Sequence, residues 1–244
     1  MSASPLSQLA ITTFRYKSCD STNLMAKRII AENPLAAQLP YSVIIGEEQL
    51  NGYGTNGRSW ISPKGNIYLS FIVPKNIVEK AHIGRLSIAT SVAVANVIKN
   101  LGIKDVSVKW PNDILIENKK ITGILVEIEG EFAIIGVGIN IQKAPSINNK
   151  TTCIKNHCTL PINIESIIDE LIKYLLNEYD KLQANKFNEI KQSWSLMCPD
   201  LGKIVKRETE EGVFLRIGNY GEMIMDCNGV IKTIFSVNQI NSVG

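Results

Sequence analysis

The chain has 244 residues, 26 basic and 23 acidic side chains, a formal charge of +3 and 45% apolar residues. That length and apolar content allow one main domain with a full core plus a small appendage, and so mild a charge gives no electrostatic footprint for nucleic acid. No window approaches the roughly 18 uncharged apolar residues of a membrane span. The opening "MSASPLSQLAITTF" lacks the basic start and apolar run of a secretory leader, so a cytoplasmic location is expected.

From "TFRYKSCDSTNLMAKRIIAE" we expect a short strand, a polar turn and a helix beginning near Thr22, with Ser21 as N-cap. Runs rich in β-branched residues follow at 41–48, 66–73, 106–110, 113–117, 121–130 and 132–141, separated by Gly, Pro or Asn, which is a sheet signature. Between them, 83–102 carries Leu86, Val94, Val97 and Leu101 near the helical period, giving a helix packed on the sheet. Hairpin-length connections make the sheet mainly antiparallel or mixed. Strands with helices set among them, without strict alternation, indicate an α+β fold. The polar, turn-rich stretch 142–161 reads as a mobile or irregular loop, followed by helices from Ile164 to Gln183 and from Asn185 to Ser195. After "CPDLG" four short strands split by "TEEG", "NY" and "CNG" read as a small barrel of about 40 residues, too small to be trusted alone and so docked on the main domain. The expected domains are 1–198 and 199–244.

Five cysteines without a CxxC pair read as reduced thiols, and His157 between Cys153 and Cys158 has no second cluster to complete four ligands, so no metal site is expected. The most informative stretch is "VKWPNDILIENKKITGILVEIEG". Pro111 excludes helix and Asn112 and Asp113 favour a turn, so Lys109, Trp110, Asn112 and Asp113 sit at a bend between two strands. A tryptophan there offers a flat wall while the lysine points at an anion. Lys120 follows on a neighbouring strand, and Gly123 admits close approach by a backbone or ligand. The plain alternative is a solvated hairpin with surface lysines. Equally, Ser21 serves as an ordinary cap, and Trp60 and Trp110 read as core or as ligand walls. Residues 51–60, "NGYGTNGRSW", look like a phosphate cradle from which most cations have been removed.

The strings "DSTN" (20–23), "GEEQLNGYGTNGRSW" (46–60), "SPKGNIYLS" (62–70), "KWPNDI" (109–114), "KKITGILVE" (119–127) and "GVGINI" (136–141) resemble, in order and at similar spacing, blocks of the catalytic domain of the biotin–protein ligases. The resemblance runs from about Phe14 to Ile141; the terminal hairpins resemble the family's SH3-like C-terminal domain less specifically. It implies a mixed, largely antiparallel sheet packed with helices, of the class II aminoacyl-tRNA synthetase and biotin ligase type. It also implies an ATP-dependent reaction in which biotin forms biotinyl-5′-adenylate and is passed to a lysine of a biotin carboxyl carrier domain of acetyl-CoA carboxylase or a related enzyme. Mg²⁺ would accompany the nucleotide.

By the same resemblance, Lys120 contacts the biotin carboxyl and the phosphate, with Arg58, Lys109 and Asp113 as the other catalytic candidates. Ser21, Thr22, Asn23 and Gln49 serve the ureido ring, and Gly52, Tyr53, Gly54, Thr55 and Gly123 complete the biotin set. Arg58, Trp60, Asn66, Asn112 and Asn140 are the nucleotide candidates. The family's lid usually reads GRGRxGRxW, so Tyr53 and Thr55 stand where arginines are expected and only Arg58 remains. The expectation is a lid that orders on binding and retains the adenylate less tightly. Two other readings stay open: a degenerate biotin-binding module, and a lipoate or octanoate transferase of the same fold. No DNA-binding domain is expected before the first shared strand, and a homodimer through the sheet is compatible with the resemblance.

Overall fold

The computed structural model describes residues 11–32, 41–74, 82–146, 150–207 and 209–236. Chain order is β1 (Ile11–Tyr16), α1 (Thr22–Glu32), β2 (Tyr41–Gly46), β3 (Ile67–Pro74), α2 (Ile83–Asn100), β4 (Val106–Lys109), β5 (Asp113–Ile116), β6 (Lys119–Glu129) and β7 (Phe132–Ile139). Then come α3 (Ile164–Gln183), α4 (Phe187–Ser195), β8 (Ile204–Arg207), β9 (Glu210–Ile217), β10 (Met223–Cys227) and β11 (Val230–Ile234). The first seven strands form one sheet in the order β1-β2-β3-β7-β6-β5-β4. Only β1 and β2 pair in parallel, as a strand–helix–strand connection through α1 allows; the other neighbours are antiparallel.

The alternation of side chains along each strand separates two apolar faces. Val43, Ile45, Phe71, Val73, Ala133 and Ile135 face the main core with α2, α3 and α4. The intervening Ile44, Ile72, Phe132 and Ile134 meet Ala26 and Ile29 of α1 on the other side. This two-sided burial is why β2 and β3 read as continuous apolar runs rather than as alternating ones.

Several boundaries move for stereochemical reasons. The strand expected to reach residue 117 stops at Ile116, because Glu117 and Asn118 both take positive φ (50° and 61°) and make the tight turn into β6. The helix expected from Asn185 starts at Phe187, since Asn185 sits at φ 57° and cannot be helical. The helix from Ile164 to Gln183 forms at its expected bounds, with the Asn163 side chain accepting from the Ser166 N–H as its cap.

Two expectations need correction. The stretch 142–161, expected to be mobile or irregular, is irregular as expected, but from residue 150 it is tied to the start of β6: Lys120 N–H donates to the Lys150 carbonyl (2.8 Å) and Thr152 N–H to the Lys120 carbonyl (3.0 Å). Ile154 is fully buried behind it. The irregularity of sequence there reflects a single strand-like bridge at Thr151, too short for a periodic signal. The C-terminal strands pair as an open four-stranded antiparallel sheet, β11-β10-β9-β8, and not as a closed barrel among the described residues. Its apolar side is covered instead by the main domain: Phe214, Ile217, Met223 and Met225 join the same core as α2 and α4, and Phe214 meets Trp194 edge-on. Cover by a neighbouring layer removes the need for closure.

Candidate active site

Two cavities lie where β4–β7, α1 and the loop 49–62 converge. The smaller, about 190 Å³, is lined by α1, the loop and the middle of β6 and β7; the larger, about 390 Å³, by the 109–113 bend, the start of α2 and the C-terminal sheet. Thr55, Arg58, Asn112, Lys120 and Ile124 line both. The two spaces therefore meet at one ammonium and one guanidinium.

The smaller cavity has a polar end and an apolar body. The Ser21 carbonyl accepts the first helical bond of α1 from Met25 N–H, which leaves Thr22 N–H free of the helix; it donates to Gln49 Oε1 at 2.9 Å. Gln49 Nε2 donates to Ser62 Oγ (2.8 Å), and the Ser62 hydroxyl to the Trp60 carbonyl (2.8 Å). On the other side Ser70 Oγ lies 2.7 Å from Thr22 Oγ1 and donates to Asn23 Oδ1. Asn23 can reach the sheet only because position 136 is glycine: a Cβ there would fall 2.4 Å from Asn23 Oδ1. Tyr68, Ile124, Leu125, Val137 and Trp60 supply the apolar lining.

Trp60 rests on a shelf made by two glycines. Gly123 and Gly138 are direct cross-strand partners in β6 and β7, and Cβ atoms on them would come within 3.1 Å and 2.5 Å of the indole. The indole thus lies flat on bare backbone, and Lys120 Nζ sits 5.5 Å from its ring centroid. What approaches Gly123 is this tryptophan.

At the junction, Lys120 Nζ is 2.6 Å from Asp113 Oδ1, both side chains about one-third exposed. Asp113 pairs with Lys109 across the β4–β5 hairpin. Asn112 ties the bend to β6, its Nδ2 donating to the Ile124 carbonyl (2.7 Å). Trp110 is buried, donating Nε1–H to the Gly221 carbonyl at 2.9 Å, so it is a core residue that also walls the larger cavity. Arg207 of β8 donates to the Trp110 carbonyl at 3.1 Å, and its Nε is buried without a partner among the described residues. The larger cavity is lined by the cations Arg58, Lys109, Lys120 and Arg207 against the single carboxylate of Asp113.

The loop 52–60 is a small hairpin closed by Trp60 N–H to the Gly52 carbonyl and Gly54 N–H to the Arg58 carbonyl, both 2.8 Å. Its tip needs Gly57, at φ 67°. Besides the packing of Trp60, a side-chain hydrogen bond anchors it to the sheet: the Tyr53 hydroxyl donates to Glu127 Oε2 at 2.8 Å. Burial, and then that bond, pushes the Tyr53 phenol well above its ordinary range. Burial alone would raise the Glu127 carboxyl. Hydrogen bonds from Lys27, Asn23 and Tyr53 outweigh it and hold the group below its ordinary value.

Among the sequence candidates, Ser21, Thr22, Asn23, Gln49, Tyr53, Gly54, Thr55, Arg58, Trp60, Asn112, Lys120, Gly123 and Asn140 all line the smaller cavity, and Lys109 and Asp113 the larger. Two do not line either. Gly52 is buried behind the loop, where a Cβ would meet Ser62 Oγ and the Trp60 carbonyl at 2.5 Å. Asn66 accepts from the N–H groups of Ile141, Gln142 and Lys143 through one oxygen, so it fixes the chain after β7 and lines neither of these cavities. Asn140 is buried, its Nδ2 donating to the Thr152 carbonyl, while its Oδ1 has no partner among the described residues. Sequence reasoning missed Glu127, Ser70, Gly136, Gly138 and Arg207. The signal for Glu127 was present: an acid in the otherwise apolar run "GILVE".

The family model described as the biotin/lipoate A/B protein ligase family matches residues 17–140, which carry both the bend and the glycine-rich loop. The chain belongs to that family. Among relatives of this ligase family, the bifunctional ligase/repressor BirA of Bacillus subtilis is 28% identical over 213 residues, covering 81% of this chain and 65% of the relative. The chain thus spans slightly less than two thirds of that relative's length. The biotin–[acetyl-CoA-carboxylase] ligase of Paracoccus denitrificans is 27% identical over 233 residues, 84% of this chain and 90% of the relative. In three dimensions the chain resembles the biotin protein ligase from Aquifex aeolicus in complex with biotin and ATP, with a TM-score of 0.81, 22% identity, and coverage of 92% and 96%. That likeness establishes the same fold. No helix among the described residues is long and apolar enough to cross a membrane.

Proposed function

We propose that this member of the family is an ATP-dependent ligase that activates biotin as biotinyl-5′-adenylate and passes it to a lysine of a biotin carboxyl carrier domain. The observation that carries the reading is the pair of cavities meeting at Lys120 and Arg58. An acid held in the smaller space and a polyphosphate held in the larger would bring carboxylate and α-phosphorus together at one ammonium. The names of the relatives, biotin ligases, support the choice of acid.

The polar end formed by Thr22, Asn23 and Gln49 suits a ureido ring, whose carbonyl and N–H groups must be paired when buried. The dithiolane of lipoate and the chain of octanoate bring no such groups and would leave the remaining hydrogen-bonding capacity of this polar floor unused. Trp60 and the β6–β7 glycine shelf exclude water along the apolar chain. Lys120 is placed to offset charge growing on the non-bridging phosphate oxygens, a task suited to a compact point charge, with Arg58 and Lys109 beside it. Asn140, with an oxygen that has no partner among the described residues, lines the smaller cavity; its assignment to the nucleotide follows the family resemblance and places it where the adenylate would enter that space. The lining holds one carboxylate, Asp113, already paired with Lys120, so the residues present form no cage for Mg²⁺; the ion would enter bound to ATP. Residues 1–198 are assigned as the catalytic domain and 199–244 as a C-terminal unit that completes the larger cavity.

The reading is tested by incubating the chain with biotin, MgATP and a carrier domain. Label on the carrier's acceptor lysine in preference to its other lysines is expected; biotin binding by calorimetry without any label would select the degenerate module. Addition of an unrelated lysine-rich protein tests retention of the adenylate. With Thr55 in place of an arginine, label on the bystander is expected, and Thr55→Arg should reduce it about tenfold or more, the worth of a charge-assisted hydrogen bond.

A further inference from the structure

Glu127 sits on β6 with its carboxylate shared among three side chains from two elements, α1 and the loop. Oε1 lies 2.7 Å from Lys27 Nζ on α1; Oε2 accepts from Asn23 Nδ2 at the start of α1 (2.7 Å) and from the Tyr53 hydroxyl in the loop (2.8 Å). Asn23 and Tyr53 both line the smaller cavity, one from its polar floor and one from the loop that covers it. We infer that Glu127 is a positioning residue that clasps the covering loop to the cavity floor, so that the loop is ordered before any ligand arrives.

Three features support this beyond the bonds themselves. First, backbone bonds fix only the base of the loop, Leu50 N–H to the Cys19 carbonyl (2.9 Å) and Asn51 N–H to the Asp20 carbonyl (2.8 Å), whereas beyond residue 51 Gly54 to Arg58 and Trp60 to Gly52 stabilise the turn without attaching it to the sheet. Attachment falls to Tyr53 and to the packing of Trp60 on Gly123 and Gly138. Second, a phenol has one donor. Tyr53 spends it on Glu127, so the side chain's only donor is directed at the protein and not into the cavity. Third, the floor side of the clasp is rigid. Asn23 is held at its oxygen by Ser70 and at its nitrogen by Glu127, in the space that Gly136 leaves, so the carboxylate is anchored to a fixed point.

The consequence is that ligand binding does not have to supply the ordering of this loop. That part of the inference rests on the loop covering a small-molecule site, whereas the clasp in the ligand-free chain does not. It follows that a loop poor in cations can still close, with closure set by Glu127 rather than by the nucleotide.

The test is the rate of tryptic cleavage after Arg58 in the ligand-free chain, with the fragments identified by mass. Cleavage there requires the hairpin to open, so the rate reads the open population. The wild-type chain should be cut slowly, and equally slowly with biotin present. Tyr53→Phe, which keeps the ring and removes the donor, should raise the ligand-free rate about tenfold, and biotin should slow the variant. Glu127→Leu should match Tyr53→Phe, while Glu127→Gln, which keeps an acceptor, should restore slow cleavage. In the ligase assay the Tyr53→Phe defect should appear as a larger rise in biotin KM than fall in kcat. Equal ligand-free rates for wild type and Tyr53→Phe, whether fast or slow, would overturn the clasp, as would wild-type cleavage that biotin suppresses strongly. Absence of carrier labelling would defeat the proposed activity and leave the ligand-free comparison intact.

Discussion

Alanine at the two shelf glycines should act very unequally. A Cβ on Gly138 would stand 2.5 Å from Trp60 Nε1, 2.8 Å from Cε2 and 3.1 Å from Cζ2. Relief to ordinary contact near 3.5 Å requires the indole to lift by about 1 Å, and over-packing of this kind costs roughly 1–3 kcal/mol. A Cβ on Gly123 meets the same ring at 3.1, 3.4 and 3.5 Å, so a shift of a few tenths of an ångström suffices. Neither glycine has a positive φ, so backbone strain does not confuse the comparison. If the indole lines the acid site, the cost appears in ligand affinity: Gly138→Ala should weaken biotin binding by about 5- to 150-fold, the equivalent of that energy, and Gly123→Ala by only a few-fold. Isothermal titration with biotin, alongside thermal melts to separate lost fold from lost site, measures both. Equal affinities for the two variants, or a Gly138→Ala affinity equal to wild type, would refute the shelf as part of the binding surface.

Other expectations follow from the same geometry. Lys120→Met should lower the rate of biotin-dependent ATP consumption by at least about 100-fold, in keeping with removal of one preorganised charge, and a loss under tenfold in kcat would move the phosphate elsewhere. Arg207→Met should raise the KM for ATP about tenfold with biotin affinity little changed. Arg207→Gln, still able to donate to the Trp110 carbonyl, separates the two roles: recovery of the ATP KM would show that Arg207 only clips the C-terminal sheet to the bend. For pH, the Glu127 carboxyl is held below its ordinary value of 4.5. A depressed folded pKa contributes stability above the unfolded value, and that contribution is lost as pH falls through the folded one. The protection of 52–60 against hydrogen exchange, taken relative to the intrinsic amide rate at each pH, should therefore be insensitive to the carboxylate from neutral pH down to about 5 and fall below 4.5, a change that Glu127→Gln should abolish; acid loss of protection unaltered in that variant would contradict it.

Much of the main sheet was legible because local chemistry and tertiary context agree there. β-branched runs broken by Gly, Asn and Pro became β2 to β7, and the proline bend did collect Lys109, Asn112 and Asp113 beside Lys120. What escaped depended on partners distant in sequence. Gly136 and Gly138 carry no signal of what approaches them, since Asn23 and Trp60 lie far away along the chain. Asn66 was a nucleotide candidate by resemblance alone; in the structure its oxygen accepts from three backbone N–H groups far along the chain, contacts that no local pattern encodes. Arg207 falls in a short, half-exposed strand, and its place beside Trp110 is set by how the terminal sheet docks, which no local pattern encodes. The barrel was expected from hairpin spacing, but spacing specifies which strands are neighbours and not whether the first meets the last.

The central assignment is that one ammonium joins an acid-binding space to a polyphosphate-binding space. Exchange of labelled pyrophosphate into ATP, measured with and without biotin and in the absence of any carrier, tests it most directly, because exchange requires the acid to attack the nucleotide reversibly on this chain. Exchange that needs biotin, and that disappears in Lys120→Met, is the expected result. Exchange that persists in Lys120→Met, or no exchange with any acid, would contradict it, while exchange with lipoate or octanoate in place of biotin would overturn the choice of acid.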